Sequence, residues 1–107
     1  MRYRNLGNTG LNVSEIGMGC EGFAGDEYRE AGRIFDAAEE LGINYFDLYS
    51  SDPKLRESVG KAIKGRRKKF IIQGHICSIW KNGQYERSRD IEEVKSSFME
   101  LMRLIET

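Results

Sequence analysis

The sequence has few of the residues that build disulfide frameworks and metal sites. Its 107 residues include two cysteines, one histidine and one proline. Cys20 and Cys77 lie far apart in the sequence, and with His75 they supply three of the four ligands that a structural zinc site uses. The sequence therefore predicts neither a disulfide nor a metal site, and it favours a reduced, cytoplasmic protein.

Long apolar runs and an excess of charge of one sign are also missing. No apolar stretch approaches the length of a membrane span, and residues 1–5 lack the apolar region of a signal peptide. Lysine plus arginine and aspartate plus glutamate both number 17. The basic run at residues 64–69 lies between a predicted helix and a predicted strand, where such runs are usually solvated turns. Neither a membrane nor a nucleic acid is expected as a partner.

The sequence does contain alternating strand and helix patterns, in a length that suits a single domain spanning residues 1–107. Residues 1–17, broken by turn residues 7–10, predict a β-hairpin. Residues 18–107 then predict three strand-helix units. Their strands are placed at residues 16–20, 43–46 and 69–73. Because such units are joined by right-handed crossovers, the predicted fold class is α/β with a parallel sheet.

Capping residues and apolar spacing define the three helices. Asp26 is predicted to cap the first helix, and Gly42 to end it. Pro53 suits the first position of the second helix, which Gly65 ends, and Asp90 is predicted to cap the third. The predicted buried faces comprise Ala31, Ile34, Phe35, Ala38 and Leu41 in the first helix, Leu55, Val59, Ala62 and Ile63 in the second, and Val94, Phe98, Leu101, Met102 and Ile105 in the third.

Residues 74–88, between the third strand and the third helix, admit two interpretations. One is a long irregular connection, which in so small a domain usually serves a function. The other is a small hairpin turned by Asn82 and Gly83, with strands at residues 79–80 and 84–85.

Asp47 is the first candidate for a functional residue. It follows the predicted buried strand at residues 43–46, so its carboxylate is expected where that strand stops. In parallel α/β folds, functional groups collect at the carboxyl ends of the strands, because the loops there vary while the sheet holds their ends in place.

Several separated blocks of the sequence resemble the N-terminal part of an aldo-keto reductase. They are residues 3–11 and 13–19 (YRNLGNTGL and VSEIGMG), residues 37–47 (AAEELGINYFD) and residues 59–67 (VGKAIKGRR). The resemblance implies a partial (β/α)8 barrel, in which an N-terminal hairpin is followed by three strand-helix units. It also implies an oxidoreductase that uses NADPH to reduce the carbonyl of an aldehyde or ketone. A whole barrel takes about 250 residues, so the chain alone is expected to be inactive.

The resemblance also assigns residues to roles, and two of them depart from the family pattern. Asp47 matches the catalytic aspartate, Asp52 stands at the position of the catalytic tyrosine, and His75 stands at the position of the catalytic lysine. A histidine can donate a proton near neutral pH, so a changed mechanism is conceivable. The implied cofactor-binding residues are Gly19, Cys20, Glu21 and Asp47. Tyr49 and Trp80 are the candidates for the substrate pocket, together with Tyr85. For Trp80 and Tyr85, packing at the rim of the barrel is an equal alternative.

Two alternatives to a reductase remain. The first is that the full-length protein has this fold without its catalytic activity and acts as a binding or regulatory subunit, since fold does not determine activity. A second hypothesis is that the chain self-associates, because three parallel strands leave open sheet edges.

Overall fold

The computed structural model describes residues 1–23 and 28–106. Two strands, β1 (Tyr3–Asn5) and β2 (Asn12–Ser14), form an antiparallel hairpin. Three further strands, β3 (Met18–Gly19), β4 (Tyr45–Leu48) and β5 (Ile71–Gly74), form a parallel sheet in that order. The predicted hairpin and parallel α/β fold are therefore confirmed.

The three predicted helices are α1 (Tyr28–Glu40), α2 (Pro53–Ala62) and α3 (Ile91–Leu104). Asp52 and Asp90 accept hydrogen bonds from backbone N–H groups in the first turns of α2 and α3. Pro53 begins α2 as predicted. The predicted cap of the first helix, Asp26, and the loop residues 24 and 25 lie outside the described residues. Within the described residues, none of the helices is long and apolar enough to cross a membrane.

The N-terminal hairpin is attached to the turn that precedes β4. The Ser14 N–H donates to the side chain of Asn44 at 2.8 Å, and the Tyr3 hydroxyl donates to the Gly42 carbonyl at 2.7 Å. Gly42 has a φ of 77°, which closes α1 as predicted. The hairpin thereby holds the start of β4 in place.

Stacked aromatic rings form the centre of the core between the sheet and the helices. The ring centroid of Phe35 in α1 lies 4.3 Å from that of Phe46 and 5.1 Å from that of Phe70. Such aromatic contacts add to the free energy gained by burying apolar surface. All three rings are buried, which fixes the sheet against α1.

Two predicted core residues are exposed, Leu41 by 65% and Phe98 by 45%. Leu41 lies beyond the last residue of α1, in the turn that reverses the chain, so it leaves the helix face. α3 buries apolar residues only near its end, at Leu101 and Ile105. One turn before Leu101, the contact to the rest of the chain is polar: the Ser97 hydroxyl donates to the Ser78 carbonyl at 3.0 Å.

Residues 74–88 contain a second hairpin, of β6 (Ser78–Lys81) and β7 (Gln84–Arg87). Asn82 and Gly83 both have positive φ, at 54° and 74°, which suits a two-residue hairpin turn. Of the two interpretations, the hairpin is confirmed and the irregular connection is wrong. The hairpin lies between β5 and α3 in the chain.

The two helical glycines outside the caps offer a matched test of packing. A methyl group on Gly60 of α2 would overlap the Leu104 carbonyl oxygen and lie 3.0 Å from Ile105 Cα, whereas one on Gly32 of α1 would meet no atom within 4 Å. We expect Gly60→Ala to destabilise the chain by about 1–3 kcal/mol, because backbone atoms must move. Gly32→Ala should instead stabilise it by up to about 1 kcal/mol through helix propensity. Urea unfolding followed by circular dichroism measures both, and a Gly60→Ala variant as stable as wild type would contradict this packing.

Candidate functional site

The site begins at the carboxyl edge of the parallel sheet. Gly19, Asp47 and Gln73 lie side by side on β3, β4 and β5. β4 runs to Leu48, so Asp47 is its penultimate residue, and the predicted end of this strand at residue 46 is wrong. The ladder extends because Asp47 pairs with a neighbour on each side. Its carboxylate is partly exposed, as a binding group must be.

Asp47 and His75 are in direct contact, although 28 positions separate them in the sequence. The His75 Nε2 atom lies 2.6 Å from the Asp47 Oδ1 atom, and the Gln73 amide lies 3.4 Å from the same ring nitrogen. His75 immediately follows β5 in the chain, so the parallel pairing of β4 and β5 brings the two side chains together. A carboxylate on one ring nitrogen holds an imidazole in a fixed orientation.

Tyr49 and two residues of the second hairpin extend this contact. The Tyr49 ring meets the His75 ring edge to face, with centroids 4.9 Å apart. The Tyr49 and Tyr85 hydroxyl oxygens are 2.6 Å apart, and Arg87 Nε donates to the Tyr85 hydroxyl at 3.3 Å. The hydrogen bonds from Tyr49 and the Arg87 guanidinium lower the pKa of Tyr85, whereas the hydrogen bond with Tyr85 raises the pKa of Tyr49.

These side chains line a cavity of about 300 Å³. Its lining comprises Tyr49, His75, Ile76, Cys77, Ser78, Tyr85, Arg87, Ser88 and Arg89. Sequence reasoning named Tyr49 and Tyr85 but missed Arg87 and Arg89. The Asn82-Gly83 turn could have indicated Arg87, since it places residues 85 and 87 on the second strand of a hairpin.

A buried arginine holds the segment that carries Tyr49. Arg56 in α2 is 1% exposed, and its guanidinium donates to the carbonyls of Ser50 and Ser97 at 3.0 and 3.1 Å. Burial lowers its pKa, and the Glu100 carboxylate at 4.0 Å counters that effect. The sequence analysis missed Arg56, although it lies at helical spacing from Val59.

The predicted cofactor residues near β3 differ in accessibility. Gly19 is exposed, and a Cβ atom there would meet nothing within 4 Å. The Glu21 carboxylate accepts a hydrogen bond from the Ser50 N–H at 2.8 Å. Cys20 is fully buried in the core, and burial, with smaller effects of Asp47 and Glu21, raises the pKa of its thiol to about 12. Its side chain therefore packs the core, and a contact to a cofactor stays a prediction.

Asp52 and Trp80 lie outside the cavity that His75 lines. Asp52 caps α2 by accepting the Lys54 N–H at 2.9 Å. Trp80 shares a neighbouring groove with Asp52, Pro53, Lys54 and Gly83. Tyr85, the cross-strand partner of Trp80, is the hairpin aromatic that reaches Tyr49. A catalytic role for Asp52 stays a prediction, and its observed contact is structural.

No family model matches the chain, but individual proteins do. The uncharacterized oxidoreductase YqkF of Bacillus subtilis is 42% identical over 86 residues, which cover 78% of this chain and 28% of that protein. The aldo-keto reductase YhdN of the same organism is 31% identical, over 94% of this chain and 34% of that protein. A probable voltage-gated potassium channel subunit beta of Oryza sativa is 30% identical, over 67% of this chain and 24% of that protein.

Solved structures agree in fold. The holo form of the aldo-keto reductase AKR11C1 from Bacillus halodurans superposes with a TM-score of 0.85 at 32% identity, over 100% of this chain and 37% of that one. The chain belongs to the aldo-keto reductase family. It spans about a third of these relatives, and its sheet and helices correspond to part of their (β/α)8 barrel.

The different environments of the two cysteines predict different reactivity. Because the thiolate is the reacting form, Cys20 should resist an aromatic disulfide reagent at about pH 8 in the folded chain, while the less buried Cys77 reacts. Native labelling should thus modify one thiol per chain, and labelling in guanidinium should modify both. The native reaction should disappear in Cys77→Ser and persist in Cys20→Ser. Rapid labelling of folded Cys77→Ser would show that Cys20 is accessible.

Proposed function

We propose that this chain is part of a full-length NADPH-dependent reductase that converts the carbonyl group of an aldehyde or ketone into an alcohol. The observation that carries the proposal is the 2.6 Å contact between Asp47 and His75 at the carboxyl edge of the sheet. The resemblance places a lysine at position 75, held by the aspartate. His75 takes that position and makes the equivalent contact to Asp47.

The residues around β3 fit a nucleotide cofactor. The open space above Gly19 accepts a bulky group without a clash, and glycine permits close approach of a ligand to the backbone. Asp47 is the β-sheet partner of Gly19, and Glu21 lies in the next turn, so two carboxylates near β3 offer acceptors for sugar hydroxyls. NADPH, when bound, supplies the hydride. Its preference over NADH is part of the proposal.

His75 is the proposed proton donor to the carbonyl oxygen. Its Nε2 atom is engaged by Asp47, so Nδ1 is the ring nitrogen that can hold a transferable proton. The Asp47 carboxylate fixes the orientation of the ring. Tyr49 packs against the imidazole and, with Tyr85, lines the adjoining cavity, where the carbonyl substrate binds.

Substitutions of His75 in the full-length protein test this assignment. We expect His75→Gln to lower kcat by about 10²–10⁴-fold, because general acid catalysis is lost. His75→Lys should retain more activity, since an ammonium group can also donate a proton next to Asp47. The measurement is NADPH oxidation with a simple aldehyde, together with a fluorescence titration of NADPH. Unchanged kcat in His75→Gln, with folding intact by circular dichroism, would contradict the role.

Asp52→Asn separates the two roles that position 52 can have. Asparagine caps helices as well as aspartate does, so stability should be retained. A loss of turnover without a loss of stability would then reveal a catalytic role for the carboxylate, as the family position predicts.

The second candidate function is a regulatory or binding subunit, which the similarity to a potassium channel subunit beta favours. A full-length protein that binds NADPH but oxidises it with none of a panel of aldehydes and ketones would support this alternative. Measurable turnover of any carbonyl compound supports the reductase.

A further inference from the structure

The cavity beside His75 has an unusual distribution of charge. Two arginines, Arg87 and Arg89, line it, and none of its lining residues within 1–23 and 28–106 is an aspartate or glutamate. Two carboxylates contact lining residues from outside: that of Asp47 is engaged by His75, and that of Glu93 accepts from the Ser88 hydroxyl and from Lys81. Such a cavity attracts a negatively charged group.

Neither arginine is neutralised by the part of the chain that the structure describes. The ion pairs between arginine and carboxylate in the described residues involve other arginines. Among those residues, neither Arg87 nor Arg89 has a carboxylate within 4.0 Å. Arg87 donates from Nε to the Tyr85 hydroxyl and also interacts with the Tyr49 side chain, so its described contacts are with hydroxyl groups. The carboxylate of Asp90, the residue that follows Arg89, accepts hydrogen bonds at Oδ1 from the N–H groups of Glu92 and Glu93.

Arg87 is connected to the proposed proton donor through two aromatic residues. Arg87 contacts Tyr85, Tyr85 contacts Tyr49, and the Tyr49 ring meets His75. His75 and both arginines line the same cavity, so a small molecule there can contact all three side chains. The volume, about 300 Å³, lies at the lower end of the range for ligand pockets.

We propose that the substrate is a small carbonyl compound that carries a carboxylate or phosphate group, bound by Arg87 and Arg89 while its carbonyl group faces His75. Arginine suits this task because its planar guanidinium pairs with both oxyanions through two hydrogen bonds. The proposal rests on the proposed reductase function, and it adds the class of substrate.

Matched substrate pairs test the proposal in the full-length protein. Succinic semialdehyde is compared with its methyl ester, and glyceraldehyde 3-phosphate with glyceraldehyde. We expect kcat/KM to favour the anionic member of at least one pair by about tenfold or more, since hydrogen bonds between charged groups are stronger than those between neutral groups. The preferred pair identifies carboxylate or phosphate as the recognised group.

The double variant Arg87→Gln/Arg89→Gln should reduce the anionic-to-neutral ratio towards one, mainly by raising KM for the anionic substrate. Arg29→Gln, which removes an exposed arginine on α1, is the matched control and should keep the ratio. Reduction of neutral and anionic substrates with equal kcat/KM would overturn the substrate class and leave the reductase proposal standing.

Calorimetric titration with succinate provides a readout that does not need turnover. Binding that the wild-type protein shows and the double variant loses supports the anion site even if every carbonyl compound tested is inert, an outcome that would remove only the reductase proposal. Absence of succinate and phosphate binding to the wild-type protein, with no preference for anionic substrates, overturns the inference.

Discussion

The parallel pairing of β4 with both of its neighbours is the constraint on which the site depends. β4 contributes Phe46 to the aromatic core and Asp47 to the carboxyl edge of the sheet, so packing and chemistry are determined by adjacent residues of one strand. A slip of one residue in the register would exchange the two side chains between faces. The stacking of Phe35 and Phe70 around Phe46 opposes such a slip, because it would remove an aromatic side chain from the core.

The second hairpin supplies the outer wall of the site. Ser51 and Ser78 connect it to the segment after β4, through hydrogen bonds to the carbonyls of Ile79 and Tyr49 at 2.7 and 3.2 Å. Arg56 adds a buried link from the same segment to α3. Hairpin, segment and helix are therefore held as one unit, which matters because catalytic groups must be positioned within fractions of an ångström. Asp52 supports this arrangement by capping the helix that carries Arg56.

Much of the fold followed from local patterns. Gly42, Pro53 and Asp90 marked helix ends correctly, because capping involves residues that are neighbours in the sequence. Two predictions of buried residues were wrong, although both followed the local apolar spacing. Leu41 and Phe98 have the spacing of buried residues, yet one lies beyond its helix and the other belongs to a helix that buries apolar side chains only near its end.

The sequence by itself determined the first hairpin, the alternation of three parallel strands with three helices, the family, and the position of Asp47 near the end of its strand. The tertiary structure alone decided that His75 contacts Asp47, that Tyr85 meets Tyr49 across 36 positions, and that Arg56 is buried. The physical reason is the separation along the chain of the residues that interact. Propensities and caps act over three or four residues, whereas these contacts depend on strand register and on where a hairpin packs, which the whole domain sets together.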